Sequence, residues 1–123
     1  MTRRYIAKDP TLPFADAVLI DDKTLYLSGR IGLIPGTRQV PEDINVEITN
    51  LMQDLQGVLV AADMTLEDLV TLTIYCPDVS LWEPFNAIYR TFFTGPLPPR
   101  AFIGSGPLLF GARFELQGIA VKS

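Results

Sequence analysis

The segment TGPLPPRAF, residues 94–102, brings a single arginine, Arg100, to the end of a proline-rich stretch. Pro96, Pro98 and Pro99 each hold φ near about −65° and favour an extended conformation at the preceding residue. A guanidinium on such a stiff approach is suited to binding a carboxylate, because its planar N–H donors can form a bidentate pair with both oxygens. The sequence therefore makes Arg100 a candidate anion-binding residue, with a structural ion pair as the alternative.

Histidine is absent from the 123 residues, and the only cysteine is Cys76. This excludes a Ser-His-Asp triad, the commonest zinc ligand and any cysteine-rich metal site. Chemistry must therefore rest on Arg, Asp, Glu, Tyr, Ser, Lys, backbone groups or water. A lone cysteine cannot form an intrachain disulfide and fits a reducing cytosol, so we expect a cytoplasmic protein.

The overall charge is acidic, since ten Lys and Arg stand against fourteen Asp and Glu and give a net charge of −4. No basic run is present, and we expect no nucleic-acid partner, because such binding depends on clustered cations meeting phosphates. No apolar run reaches the roughly 18 residues of a membrane span, and we expect neither a membrane partner nor a signal peptide. A small anionic metabolite is compatible with this composition, because one well-placed arginine can bind a carboxylate.

Strands and a helix are predicted upstream of the proline-rich segment. Two short apolar runs, Ala17–Ile20 and Leu25–Ser28, flank the turn-forming residues DDKT and predict a β-hairpin. Residues 42–64 carry apolar side chains at intervals of three and four, which predicts an amphipathic helix. Residues 69–76 form a β-rich run ended by Pro77 and predict a buried central strand.

A second helix is predicted to begin at Ser80, where Ser80 and Glu83 fit a capping box and Pro84 falls in the first turn. Strands are expected after the proline-rich segment and at residues 112–121. The order β-β-α-β-α-β-β implies one α+β domain over residues 1–123, with two helices on one face of a mixed sheet. The opposite sheet face should be apolar and uncovered, so we expect the chain to form a homo-oligomer.

Several segments carry a resemblance to a known family: LYLSGRIGL, the amphipathic helix, LEDLVTLTIY, FNAIYRTFF, PPRAF and FELQGIAV. From about Pro13 to Val121 the chain resembles the RidA/YjgF-type reactive-intermediate (enamine/imine) deaminases, also labelled endoribonuclease L-PSP. The resemblance implies a chorismate-mutase-like α+β sandwich, assembled as a homotrimer with a central barrel and clefts between subunits. It also implies hydrolysis of 2-aminoacrylate-like enamines and imines to 2-keto acids and ammonia, with no metal or organic cofactor.

The same resemblance implies roles for individual residues. Arg100 would bind the substrate carboxylate, and Ser28-Gly29 would line the cleft. Asn86 would correspond to an asparagine contributed by a neighbouring subunit. Ile103 would help to bind the ligand through its backbone. Phe14 stands where the family has a tyrosine.

Gln117 stands where the family commonly has a glutamate that positions or activates the hydrolytic water. A glutamine can hold a water by hydrogen bonds but cannot accept a proton as a general base. Glu115, two residues earlier, is interpreted as a structural partner of Arg113 or of a neighbouring chain. The alternatives are a deaminase that uses Arg100 and a water near Gln117, a non-catalytic binder or sensor of 2-keto acids, and a ribonuclease, which the acidic charge and absent histidine disfavour.

Overall fold

The computed structural model describes all 123 residues, which form a mixed seven-stranded sheet and two α-helices. The strands are β1 Arg3–Ile6, β2 Ala17–Ile20, β3 Thr24–Leu27, β4 Arg30–Ile31, β5 Leu69–Cys76, β6 Arg100–Gly104 and β7 Glu115–Val121. The helices are α1 Ile44–Ala61 and α2 Trp82–Tyr89. The sheet order is β1-β2-β3-β7-β5-β6, with β4 also paired to β7. Only β5 and β6 run parallel, so the predicted α+β fold with a mixed sheet is confirmed.

The predicted hairpin is confirmed, because β2 and β3 pair antiparallel and Ile20 faces Thr24 next to the turn. Asp21 and Asp22 adopt positive φ values of 52° and 53°, a conformation that Asp tolerates better than most residues. Two strands were not predicted. The first, β1, is four residues long and mostly exposed, and the second, β4, has only two residues. Both strands form because they pair with neighbouring strands, β1 with β2 and β4 with β7, and neither has a local sequence pattern that indicates a strand.

The first helix, α1, lies inside the predicted range and begins after Asp43. The Asp43 carboxylate accepts a hydrogen bond from the amide of Asn45 at 2.8 Å and caps the helix N-terminus. The residues that this helix buries recur at helical spacing and face the sheet: Glu47, Ile48, Leu51, Met52, Leu55, Val58 and Leu59.

The second helix, α2, begins two residues later than predicted, at Trp82, and the predicted capping box of Ser80 and Glu83 is wrong. Asp78 provides the cap instead, because its carboxylate accepts from the Ser80 amide at 3.0 Å and from the Ser80 hydroxyl at 2.7 Å. This cap starts a short 3-10 turn, Val79–Leu81, that leads into α2. An ionised carboxylate is the stronger acceptor, so the serine hydroxyl serves as a donor.

One face of the sheet packs against both helices and forms the core. The core strand residues alternate along the chain, as in Leu116 and Ala120 of β7, which are fully buried. The intervening residues lie on the opposite face and stay partly or largely exposed: Tyr5, Val18, Ile20, Tyr26, Ile103 and Ile119. An uncovered face was predicted and is confirmed, and it carries polar residues such as Thr73 and Gln117 beside these apolar side chains. Of the helices, none has the length and hydrophobicity that crossing a bilayer requires.

An ion pair fastens α1 to the segment before β7. Glu47 is fully buried, and its Oε1 lies 2.6 Å from Nε of Arg113. The other oxygen accepts from the Arg113 backbone amide at 2.8 Å. The interpretation of Glu115 as the partner of Arg113 is therefore wrong. The partner lies 66 residues away in the chain, where no local pattern could indicate it.

Candidate active site

The proline-rich segment delivers Arg100 to the edge of the sheet, as the first residue of β6. β6 pairs only with β5, so it is an edge strand that can accept prolines at its start. The Pro99 carbonyl accepts from the Leu72 amide at 3.1 Å and sets the register in which Leu72 pairs with Arg100. Leu72 is buried in the core. Because paired residues share a sheet face, Arg100 points toward the helices.

The Arg100 guanidinium lies against α2 and has no acidic partner. Its Nη2 donates a hydrogen bond to Oδ1 of Asn86. The ion pairs of the chain join other residues. Its Nη1 is buried and has no hydrogen-bond partner. A desolvated cation whose one acceptor is a neutral amide is a candidate site for an anion.

Three aromatic rings surround this guanidinium. Its central carbon lies 4.6 Å from the ring centre of Tyr89, 5.6 Å from Phe85 and 5.9 Å from Phe102. The rings also pack on each other: Phe85 stacks on Tyr89 at 5.5 Å and meets Phe102 edge-on at 5.7 Å. These contacts restrict the rings and, through cation–π attraction, the position of the guanidinium. We call Phe85, Tyr89 and Phe102 the aromatic cradle.

Tyr89 is the closest member of the cradle to Arg100, and its side chain is 3% exposed. Its hydroxyl has no hydrogen-bond partner. Burial raises the pKa of the Tyr89 phenol above its ordinary value, while the positive charge of Arg100 and the closeness of its side chain to the phenol oxygen oppose that rise. The phenol is therefore a neutral hydrogen-bond donor at neutral pH.

A depression of about 190 Å³ opens beside Arg100. Its lining combines this arginine with polar and apolar side chains: Trp82, Asn86, Tyr89, Arg90, Leu97 and Pro98. A larger hollow of about 260 Å³ lies between residues 77–81 and 107–113. The charged groups there are already engaged, because Arg113 pairs with Glu47 and Asp78 caps a turn. The depression at Arg100 is therefore the better candidate site.

Ser28 and Gly29 directly follow β3, and in the sheet β3 is separated from β6 by β7 and β5. The Ser28 hydroxyl donates to the Ala15 carbonyl at 2.6 Å, and its amide donates to the Asp16 carbonyl at 2.9 Å. These bonds hold the loop that carries Phe14, whose side chain is 50% exposed. A Cβ on Gly29 would lie 2.2 Å from Oε2 of Glu115, so this carboxylate packs directly on the glycine.

An ion-pair network supports the Ser28-Gly29 segment. Arg30 Nη1 lies 2.7 Å from Oδ1 of Asp16, and its Nε lies 2.7 Å from Oδ2 of Asp54 on α1. Burial by itself would raise the pKa of Asp16. The hydrogen bonds from the Lys8 amide and the Arg30 side chain, together with the positive charge of Arg30, outweigh burial and lower the pKa.

Gln117 lies on the sheet face opposite to Arg100. It pairs with Thr73 in β5, and Thr73 pairs in turn with Ala101 of β6, so these three share one face. Gln117 is exposed there, as is Ile103, which is 44% exposed. Within one chain the structure thus brings Arg100 together with Asn86, which the resemblance had assigned to a neighbouring subunit, and leaves Gln117 on the other face.

The aromatic cradle was not predicted as part of the site from the sequence. A signal was available, because Asn86 and Tyr89 are three residues apart on a helix and therefore share a face. Phe102 likewise follows Arg100 by two residues on a strand, which puts both on one face. The sequence could not show that these two faces meet.

The fold and this arginine define an α+β sandwich protein with a candidate anion site at the sheet edge. Residues 6–122 match the family described as Endoribonuclease L-PSP. The chain belongs to this family, whose members include the RidA/YjgF-type proteins, and the resemblance seen in the sequence is confirmed.

Individual relatives agree with this assignment. The chain is 35% identical over 111 residues to a Mus musculus protein named 2-iminobutanoate/2-iminopropanoate deaminase, covering 89% of this chain and 82% of that one. It is 36% identical over 110 residues to the Rattus norvegicus protein of the same name, covering 89% and 80%. A crystal structure of a conserved Rid family protein from Yersinia pestis matches with a TM-score of 0.89 at 27% identity, covering 98% of this chain and 100% of that chain.

Proposed function

We propose that this protein hydrolyses reactive 2-imino and 2-enamino acids of the 2-aminoacrylate kind to 2-keto acids and ammonia. The observation that carries the proposal is the partly buried guanidinium of Arg100, which has a neutral amide as its only acceptor and one nitrogen without any partner. The names of the mouse and rat relatives support the same reaction class.

The substrate carboxylate binds at Arg100. A hydrogen bond to a charged group contributes about 1.5–3 kcal/mol, and a bidentate pair fixes orientation as well. Asn86 and the aromatic cradle hold the guanidinium in place before the ligand arrives, which lowers the entropy cost of binding. Trp82 and Leu97, both about half exposed at the depression, offer apolar surface to the substrate side chain.

The reaction then needs only a positioned water. A 2-enamino acid first tautomerises to the imine, gaining a proton at C3 and losing one from nitrogen through water. Water oxygen then attacks the imine carbon, the C=N bond becomes a C–N bond, and the resulting carbinolamine expels ammonia as the C=O bond forms. The imine carbon is already electrophilic, so holding the water close to it supplies much of the acceleration. Gln117 holds this water through its amide, and proton transfers pass through water because the amide is not a base.

The complete site is formed between copies of the chain in a homotrimer. Gln117, Ile103, Phe14 and Ser28-Gly29 lie away from the helix-facing side of Arg100. A second copy that lays its exposed sheet face beside β6 would bring its own Gln117 toward Arg100. The apolar character of that face and the edge position of Arg100 support this assembly.

The test is to generate 2-aminoacrylate with a pyridoxal-phosphate dehydratase and follow its decay with the full-length protein. Arg100→Ala should lower kcat/KM by about 10- to 100-fold, because one charged hydrogen-bonded contact is lost. Arg100→Lys should also be impaired, since lysine lacks the planar fork.

Arg38→Ala is the matched control, because Arg38 is an exposed arginine outside the depression, and it should retain wild-type activity. An equal loss of activity in Arg100→Ala and Arg38→Ala, or full activity in Arg100→Ala, would refute the role of Arg100. The oligomer proposal is tested separately by sedimentation, where a monomeric species at the concentration of the assay would contradict it.

A second candidate is a non-catalytic binder or sensor of 2-keto acids. The observation in its favour is Gln117, which retains hydrogen-bonding groups but provides no base. It predicts saturable binding of a 2-keto acid with no acceleration of imine decay. Gln117→Glu separates the two, because a restored carboxylate should create turnover in a binder and only modify turnover in a deaminase.

A further inference from the structure

Two buried polar side-chain atoms of the whole chain have no hydrogen-bond partner: Nη1 of Arg100 and the hydroxyl oxygen of Tyr89. Buried polar groups in folded proteins are almost always paired, so each exception calls for an explanation. Both residues line the same depression. Both groups carry hydrogen that can be donated, and one anionic acceptor in the depression could accept from both of them.

The packing of Tyr89 does not explain its hydroxyl. The ring is held by Phe85 at 5.5 Å and Phe93 at 4.9 Å, and a phenylalanine would make the same ring contacts. An unpaired buried hydroxyl costs free energy in the ligand-free protein. A polar group that destabilises the free state and faces a binding site is expected to have its partner in the bound state.

We propose that Tyr89 is a second ligand-binding residue, whose phenol O–H donates a hydrogen bond to the carboxylate that Arg100 binds. A carboxylate has two oxygens and about four acceptor positions, enough to serve the guanidinium and the phenol together. The proposal deepens the proposed function and rests on it, because it requires a carboxylate at Arg100.

The test measures binding of 2-oxobutanoate to the full-length protein by isothermal titration calorimetry, together with the Tm of each ligand-free variant. Tyr89→Phe removes one oxygen atom and should raise the Kd by about 10-fold or more, as expected for losing one hydrogen bond to a charged group. Its ligand-free Tm should equal or exceed that of the wild type, because an unpaired buried hydroxyl has been removed. Tyr5→Phe is the matched control, since Tyr5 is 64% exposed on β1 at the other edge of the sheet, and its Kd should match the wild type.

The outcomes separate this proposal from the one it rests on. Weaker binding in Tyr89→Phe with an undiminished Tm supports it. Weaker binding accompanied by a lower Tm identifies a structural role and overturns it. If Arg100→Ala abolishes binding while Tyr89→Phe binds like the wild type, the Tyr89 proposal is wrong and the carboxylate site stands. If the wild type shows no saturable binding, or neither variant changes the Kd, both proposals fail.

Discussion

Replacing Arg113 with alanine should destabilise the fold strongly, because it leaves the Glu47 carboxylate buried without its guanidinium. Glu47 is 0% exposed, and the Nε of Arg113 lies 2.6 Å from its Oε1. Removing one partner of a buried ion pair typically costs about 3–5 kcal/mol. The same guanidinium donates to the carbonyls of Pro41 at 2.5 Å and Glu42 at 3.1 Å, so the segment before α1 loses its anchor as well.

The expected change in Tm follows from the size of the domain. A chain of 123 residues has an unfolding entropy of about 0.26 kcal/mol/K, so a loss of about 3–5 kcal/mol lowers the Tm by about 12–20 °C. Circular dichroism at increasing temperature measures this. All variants should be compared at one protein concentration, since self-association would make the Tm concentration-dependent.

The control and the double variant make the reasoning refutable. Arg38→Ala removes an exposed arginine that forms no ion pair and should shift the Tm by less than about 2 °C. Glu47→Met combined with Arg113→Met should recover part of the loss, because no uncompensated charge remains. Two results would contradict the stabilising role of the Glu47–Arg113 ion pair. One is a decrease in Tm of less than about 4 °C for Arg113→Ala, and the other is a double variant no more stable than Arg113→Ala.

Two further predictions concern stability. Gly32→Ala should lower the free energy of unfolding by about 1–3 kcal/mol, because the new Cβ would lie 2.1 Å from the backbone carbonyl oxygen of Glu47. Gly29→Ala should be tolerated, because its Cβ would lie 2.2 Å from Oε2 of Glu115, a side-chain carboxylate that can move away. Urea denaturation of both variants measures the difference, and equal losses would contradict it. Asp16 has a lowered pKa, so its ionised form stabilises the fold above its unfolded pKa of about 3.9 and this contribution is lost as the pH falls through the folded pKa. The stability difference between wild type and Asp16→Asn should therefore be about 1–3 kcal/mol at neutral pH and shrink below about pH 4; a difference that stays constant into acid would contradict this assignment.

Much of the fold could be predicted from the sequence wherever local pattern and tertiary contact agree. The helical spacing of residues 42–64 contains α1, and the turn residues at positions 21–24 mark the hairpin. The start of α2 could not be predicted correctly, because Ser80 fits an N-cap by type and only the geometry shows Asp78 as the acceptor. The edge strand β1 forms by pairing with β2 and has almost no pattern of its own.

The candidate site was predictable to a smaller extent. Arg100 was identified from its proline-rich approach, and the structure places it beside Asn86 in a depression. The assignment of Gln117 as a catalytic residue stays a prediction, because the single chain puts it on the other sheet face. Strand alternation could have indicated the face of each residue, but the pairing of β7 with β5 and of β5 with β6 had to be known first.

The sequence by itself determined the properties that depend on neighbouring residues: the amphipathic face of α1, the stiff extended approach to Arg100 and the absence of histidine chemistry. The tertiary structure alone decided the properties that depend on distant pairs. These are the Glu47–Arg113 ion pair, 66 residues apart in the chain, and the placement of the Arg100 guanidinium over the ring of Tyr89. Such pairs depend on how α2 packs against β6 and how α1 packs against the start of β7. The sequence shows which face of an element is apolar but not which residue of another element that face contacts, because each partner needs only to be of a suitable type at a position that the fold brings into contact.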